Sequence, residues 1–462
     1  MNTSFFQELL GSIAERGRAL VDRSAARPSA KGAQRAKAPD TLEGLCRALL
    51  SGRGEASGVA LAKQVLDLYA ATPMPARLDF FRLLARSFDP NPAGLRQAWE
   101  AYEREPKPAS LQRLLRAVEP PRQELLRRLN LAPGGTAALV RMREDLLKHG
   151  GKEPELKSVD DDFAHLFGSW FNRGFLVLRP IDWSTPADIL ERIIRYEAVH
   201  EIRGWDDLRR RVQPMDRRCF GFFHPSLVDE PLIFVEVALT REIPSSIQSL
   251  LAEERELVPV GEATTAVFYS ISNCQPGLRG VSFGNFLIKQ VVEELSRDLP
   301  ALETFVTLSP APGFAAWLGR ALEDPAAGGG VAGLNPSPLD ALRTSGWHTD
   351  PNLAEGLRPT MLNLAAVYYL RAKGLGGKPA DPVARFHLGN GARLERLDWL
   401  GDTSPKGLRE AHGLMVNYLY DLRFIEAKHE AFANEGTVVA SDAVRRHLPA
   451  SAPQPAPEKV DG

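Results

Sequence analysis

Two sets of residues in this chain combine types that do chemistry. The first is the run Arg279, Gly280, Val281, Ser282, Phe283 and Gly284. It follows β-branched and aromatic residues from Thr264 to Ser272. It precedes an apolar stripe, Phe286, Leu287, Val291, Leu295 and Leu299, at mostly three- and four-residue spacing. This pattern predicts a strand, a glycine-containing loop, and a helix opening near Asn285 and ending at Pro300. Unpaired backbone N–H groups and the positive end of a helix dipole then face one place, and Arg279 adds a cation, which suits a phosphate. An ordinary glycine-rich turn has the same letters. Gly280 to Gly284 also spells G-x-S-x-G, the pattern of a hydrolase nucleophile elbow. In a true elbow the serine turns directly off a strand end, whereas about nine residues separate Ser272 from Ser282.

The second set is Ser309, His387, Asn390, Tyr418 and Tyr420. A second strand is predicted from Glu303 to Leu308, and it runs into Ser309-Pro310-Ala311-Pro312-Gly313, where two prolines restrict the backbone just past a strand end. His387 lies three residues before Asn390-Gly391, which reads as a hairpin turn between two strand-like segments of ARFHLGNGARLERLDWL. Asn417, Tyr418 and Tyr420 are embedded in Leu408 to Phe424, which has a helical pattern. A hydroxyl and an imidazole are a proton-transfer pair if they meet. By residue type alone each has a plainer reading, as a structural histidine beside a turn and as core tyrosines with satisfied hydroxyls.

Several chemistries lack support. Nine histidines occur without HxH or HExxH spacing, and Cys46, Cys219 and Cys274 lie far apart, so neither a metal site nor a disulfide framework is indicated. No Walker-type loop occurs. Gly328, Gly330 and Gly333 spell GxGxxG but no strand precedes them. With 57 basic and 58 acidic residues, charge gives no global case for nucleic acid. No apolar run reaches the roughly 18 to 20 residues of a membrane-spanning helix. Phe5, Phe6, Leu9, Leu10 and Ile13 share one helical face without a secretory cleavage site, which fits a partner helix.

The elements that must position these residues fall into blocks. Residues 1–39 read as an N-terminal helix and a flexible basic linker. From 40 to 165 apolar residues repeat at helix spacing between Pro120-Pro121, Pro133-Gly134-Gly135 and Gly150-Gly151, predicting an α-helical bundle. From 166 to 450 the texture changes. FLVLRPIDW is a strand and Thr185 to Asp188 starts a helix. CFGFFHP and PLIFVEVALT are an antiparallel pair, a short helix covers Ser245 to Glu254, and the glycine loop follows. Helices are expected at Leu339 to Arg343 and Thr360 to Arg371. Residues 451–462 form a proline-rich tail.

The segments EAVHEIRGWDDLRRR, RRCFGFFHPSLVDEPLIFVEVALT, VFYSISNCQPGLRGVSFGNFLIKQVVEEL, LSPAPGF, DPVARFHLGNGA and GLMVNYLYDL resemble, in order and spacing, the malonyl-CoA decarboxylase family, from about Phe167 to Phe424. The loop R-x-x-S-x-G is similar to the R/Q-x-x-G-x-G/A loop with which acetyltransferase-type folds hold the coenzyme A pyrophosphate. The resemblance implies an α+β chain: an N-terminal all-α helical bundle followed by an acetyltransferase (GNAT)-like mixed α/β catalytic domain. It implies loss of CO2 from malonyl-CoA to give acetyl-CoA without biotin, metal or ATP, coenzyme A being part of the substrate. It places the family's catalytic serine on Ser309, its histidine on His387 and its tyrosine on Tyr420, with Tyr418 as the alternative register. Asn390 would assist, and the coenzyme A loop falls on Arg279 to Asn285. The family's animal members are expected to carry a glutamate where this chain has Ser282. The resemblance further suggests a homo-oligomer, dimer or tetramer, built through the helical domain. A C-terminus without the peroxisomal SKL tripeptide suggests a cytoplasmic protein. A GNAT-type acyltransferase using the same cradle, and a non-catalytic scaffold that binds coenzyme A, are the alternatives.

Overall fold

The computed structural model describes residues 41–51, 54–281, 287–324 and 337–449. The N-terminal helix and linker expected at 1–39, the GxGxxG run and the tail at 451–462 lie outside them. The chain divides into two compact units: Met1–Val177 with Phe222–Leu232 and Cys274–Gly284, and Leu178–Gly221 with Ile233–Asn273 and Asn285–Gly462.

The first unit is helical where the periodicity predicts it. Its helices are α1 (Leu42–Leu50), α2 (Glu55–Ala71), α3 (Met74–Ser87), α4 (Pro92–Arg104), α5 (Pro108–Val118), α6 (Pro121–Asn130), α7 (Gly135–Asp145) and α8 (Lys157–Trp170). Proline stands in the first turn of α3, α4, α5 and α6, where its missing N–H costs nothing and its fixed φ suits the helix. The core is built from Leu49, Val65, Phe81, Leu84, Leu125, Leu129, Leu139, Phe163 and Phe167. Burying each such side chain is worth about 1.5 to 3 kcal/mol before chain entropy is charged against it. Arg122 and Asp162 pair inside this core. By contrast α4 contributes no buried side chain and α5 only Ser110, so Trp99, Leu115 and Val118 stay exposed.

The second unit carries most of the sheet, the strand ends at Phe222–Leu232 belonging to the first. After β1 (Val177–Ile181) come α9 (Ala187–Tyr196), α10 (Trp205–Val212), β2 (Arg217–His224), β3 (Leu227–Thr240), α11 (Ile247–Leu251), β4 (Thr265–Asn273), α12 (Leu287–Asp298), β5 (Thr304–Thr307) and β6 (Ser309–Pro310). Then follow α13 (Phe314–Glu323), α14 (Pro351–Leu370), α15 (Pro382–Gly389), β7 (Arg393–Asp398), α16 (Pro405–Ala411), β8 (Met415–Tyr420), α17 (Ile425–Glu435) and α18 (Asp442–Arg445). Strand order is β1-β2-β3-β4-β5-β8, with β6 continuing along the edge of β8 that β5 occupies and β7 on its other edge. The β4–β5 step is parallel and runs from Thr265↔Thr304 to Phe268↔Thr307. Beyond it β4 continues against β3 while β6 continues against β8, so the sheet splits at that point. This is the α+β arrangement expected, a helical region followed by a mixed α/β domain.

Two expectations are corrected. Asn390-Gly391 does not turn a hairpin: Asp381 caps α15 by accepting the Ala384 N–H, Pro382 opens the helix, and Asn390 with Gly391 (φ +81°) ends it. An N-G pair serves a helix C-terminus as well as a hairpin, because both need a residue in the left-handed region. A side chain on Gly391 would lie 2.2 Å from the Ile425 carbonyl, so the glycine is required twice over. Secondly, Leu408 to Phe424 is not one helix. Helix α16 stops at Ala411, His412 and Gly413 take positive φ, and Met415 to Tyr420 is a strand. Both faces of that strand are buried apart from the half-buried Leu419, so its apolar run carries no alternation to mark it as β. The expected helix at Leu339 to Arg343 is a 3₁₀ turn from Ser337 to Arg343, and that at Thr360 to Arg371 is the second half of α14.

Candidate active site

The residues expected to do chemistry in the second set converge just past the split. Strands β5 and β6 share one register against β8: Phe305↔Tyr420 and Val306↔Leu419, then Ser309↔Val416 and Pro310↔Met415. Between them the ladder is broken. There the Asn417 side-chain amide donates to the Thr307 carbonyl at 2.8 Å, and the Tyr418 N–H donates to the Thr307 hydroxyl at 3.2 Å. Leu308 donates its N–H to Phe268 of β4 at 3.0 Å, the last tie between the diverging strands.

Ser309 follows this break and is buried. Its hydroxyl donates to Thr307 Oγ1 at 2.9 Å and lies 3.1 Å from His387 Nε2. His387, in the last turn of α15, sets its other ring nitrogen 2.8 Å from the Tyr420 hydroxyl. Because the serine proton is directed to Thr307, Nε2 carries the imidazole hydrogen toward Ser309 and Nδ1 accepts from Tyr420. The imidazole stacks on the Tyr418 ring at 4.6 Å and 25°. Tyr420, the second tyrosine of the motif, therefore bonds the ring, while Tyr418 packs on its face.

Burial sets the electrostatics. Desolvation pushes the His387 imidazole down to about 3, so it is neutral at physiological pH rather than poised to titrate there. The Tyr420 phenol is raised well above its ordinary value for the same reason. Both groups of this pair are thus neutral at physiological pH. A ring this enclosed has no water to solvate its cation.

Asn390 does its visible work on the helix, its amide donating to the Phe386 carbonyl at 2.7 Å. Of the loop read as a phosphate cradle, Arg279, Gly280 and Val281 are described in the first unit. Ser282, Phe283, Gly284 and Asn285 fall outside the described residues, and so do the elbow reading and the missing glutamate. Gly280 takes φ +77°, and the buried Arg143 donates to the carbonyls of Gly277 and Arg279, both at 2.9 Å, while pairing with Asp160. Thr307 and Arg143 escape a reading of the sequence, since a threonine in a strand and an arginine in a bundle are ordinary. A cavity of about 180 Å³ lies beside the segment that follows Ser309, lined by Pro310, Ala311, Pro312, Lys406 and Leu414 among others. Among the described residues no group of three or more His, Cys, Asp or Glu is placed to hold a metal ion, and no helix is long and apolar enough to cross a membrane.

The family models for the malonyl-CoA decarboxylase N-terminal and C-terminal domains match residues 88–171 and 174–457. The chain belongs to the malonyl-CoA decarboxylase family. Mitochondrial malonyl-CoA decarboxylase of Mus musculus is 32% identical, with 95% of this chain and 92% of that one covered. The enzyme of Anser anser anser is 38% identical over 71% of this chain and 69% of its own length. Among solved structures, malonyl-CoA decarboxylase from Rhodopseudomonas palustris matches with a TM-score of 0.84 and 59% identity, covering 88% of this chain and 98% of that one. That from Agrobacterium vitis matches with the same TM-score and 56% identity, covering 88% and 100%.

Proposed function

We propose that this protein converts malonyl-CoA to acetyl-CoA and CO2, with Ser309, His387 and Tyr420 as its catalytic residues. The observation that carries the assignment is the buried series Tyr420 hydroxyl, His387 imidazole and Ser309 hydroxyl, joined at 2.8 and 3.1 Å. In a malonyl thioester the bond to the carboxylate breaks, CO2 leaves, and the electron pair passes into the thioester carbonyl as an enolate. That carbonyl is itself the electron sink, so the reaction needs no biotin, metal or ATP. Ser309 hydrogen-bonds the acyl group and holds the breaking bond out of the thioester plane, where it overlaps the carbonyl π system. The His387 Nε2 hydrogen then goes to carbon while Nδ1 takes the Tyr420 proton, and one proton from solvent reaches Nε2 as Nδ1 returns its proton to the phenol, which restores both groups. A neutral imidazole acting as donor is a recognised use of a depressed histidine pKa. Asn390 holds the end of the helix that aims the ring.

The same reading assigns Arg279 to Asn285 to the coenzyme A pyrophosphate, residues 40–165 to a helical domain and 166–450 to the catalytic domain. Homo-oligomerisation through the helical domain accounts for α4 and α5, whose Trp99, Leu115 and Val118 are exposed. Cys46, Cys219 and Cys274 are buried and form no disulfide with one another, which fits a reducing cytoplasm. Incubation with carboxyl-labelled malonyl-CoA and no acceptor tests the proposal. Labelled CO2 and acetyl-CoA in equal amounts are expected; an enzyme that turns over only when an amine is added is an acyltransferase instead.

A further inference from the structure

The buried carboxyl of Asp381 has no part in the proton path just described, yet it sits where two segments of the active site are tied. Its Oδ1 accepts the Ala384 N–H at 2.8 Å and so caps α15, the helix that carries His387 six residues on. Six residues are about 9 Å of helix, short enough for the cap to fix where the imidazole stands. Arg385 pins the chain ahead of the cap by donating to the carbonyls of Pro379 and Ala380, both at 2.8 Å. The other carboxyl oxygen accepts the Tyr368 hydroxyl at 3.1 Å. Tyr368 belongs to α14 and is itself buried.

The Tyr368 hydroxyl also meets the segment that carries Ser309. Gly313 ends the run Ser309-Pro310-Ala311-Pro312-Gly313, and a Cβ added there would lie 2.5 Å from the Tyr368 hydroxyl oxygen and 3.9 Å from Asp381 Oδ2. Next to it, Phe314 and Trp317 pack on the Tyr368 ring with centroids at 5.6 and 5.0 Å. The Gly313 backbone, at φ −98° and ψ −7°, is open to any residue, so the constraint is the phenol and not the glycine's own conformation. Two prolines between Ser309 and Gly313 stiffen the connection, so a shift at Gly313 reaches the serine.

We propose that Asp381, Tyr368 and Gly313 form a positioning clamp that sets the 3.1 Å separation of Ser309 and His387 by tying the serine segment and the histidine helix to one phenol. The clamp rests on the decarboxylase reading. It also accounts for a buried acid: desolvation raises the Asp381 carboxyl to about 6, a cost that an apolar residue would avoid but that no apolar residue could turn into a cap and an acceptor at once.

The test is steady-state CO2 release, per mole of folded enzyme, by wild type, Gly313→Ala, Tyr368→Phe and the double variant, with melting temperatures recorded for all four. Misplacement of reacting groups by about 1 Å can cost up to about 100-fold. Gly313→Ala is therefore expected to lower kcat by at least about tenfold with KM nearly unchanged, and Tyr368→Phe to lower it by a few-fold. Phenylalanine removes the oxygen that the new methyl would strike, so the double variant should recover to the level of Tyr368→Phe alone. Losses that multiply in the double variant, or single variants with wild-type kcat, overturn the clamp. Should Gly313→Ala fail to fold, recovery of a folded protein with measurable kcat in the double variant decides the same point, and an unfolded double variant counts against it. A wild type that releases no CO2 refutes the decarboxylase reading itself, whereas an active wild type with additive variants refutes only the clamp.

Discussion

Asn417 and Thr307 replace two rungs of the β5–β8 ladder with side-chain bonds, the amide of one donating at 2.8 Å to the carbonyl of the other. The backbone is thereby freed to let β4 and β5 part, and the Thr307 hydroxyl is left facing both Ser309 and the Tyr418 N–H. A strand that stayed fully paired would keep the serine in the ladder's plane and offer no second acceptor to set its proton.

Thr307→Val tests this arrangement. Valine keeps the shape and removes the acceptor, leaving a buried N–H unsatisfied at a cost of about 1 to 3 kcal/mol. Chemical denaturation is expected to show that loss. The kcat should also fall, because the Ser309 proton is no longer directed away from Nε2. A variant as active as wild type would show that serine orientation does not limit turnover.

Ser309→Ala and His387→Gln are expected to lower kcat by about 10² to 10³, the range for removing one placed donor, with little change in KM. Tyr420→Phe should cost less, because the imidazole keeps its Nε2 hydrogen. Labelled CO2 release measures all three. Near wild-type rates for both Ser309→Ala and His387→Gln would remove the pair from the mechanism.

His387 also links stability to acid. An unfolded histidine binds a proton near pH 6.5, while the buried ring binds one only near 3. Between those values the unfolded state holds more protons, so the stabilisation is complete above pH 6.5 and is lost as pH falls. Urea unfolding from pH 7.5 to 5 should show wild type losing about 1.4 kcal/mol per pH unit below 6 relative to His387→Gln. Taking the difference cancels the opposing contribution of Asp381, which is present in both. Parallel curves would mean that the imidazole is protonated in the folded enzyme.

Arg143→Met addresses the coenzyme A loop from the helical unit. Losing the bonds to the Gly277 and Arg279 carbonyls loosens the start of the loop. If Arg279 to Asn285 bind the pyrophosphate, KM for malonyl-CoA should rise about tenfold, equivalent to about 1.4 kcal/mol of binding, with kcat held within a factor of about two. A fall in kcat at constant KM would detach the loop from substrate binding.

Much of this architecture was legible from residue order. Helix periodicity with proline punctuation marked residues 40–165 as a helical bundle, and β-branched runs marked β3, β4 and β5, because local spacing reports which face is buried. Two elements misled for one reason: their local signals have two solutions. Asn390-Gly391 supplies a positive φ that a hairpin and a helix end both use, and β8, buried on both faces apart from the half-buried Leu419, has no exposed polar face to alternate with an apolar one. The motif residues Ser309, His387 and Tyr420 were named through a family resemblance, since a lone serine and a lone histidine 78 positions apart carry no spacing that periodicity can read.

What the sequence determined by itself is the set of elements and the residue types offered at their ends, for these depend on interactions among near neighbours along the chain. Tertiary structure alone decided that Thr307 and Asn417 break a ladder and that His387 loses its water and stays neutral. It also decided that Asp381 and Gly313, 68 positions apart, meet one phenol. Register, desolvation and close approach arise between segments distant in the chain, and only the folded packing brings those segments within bonding range.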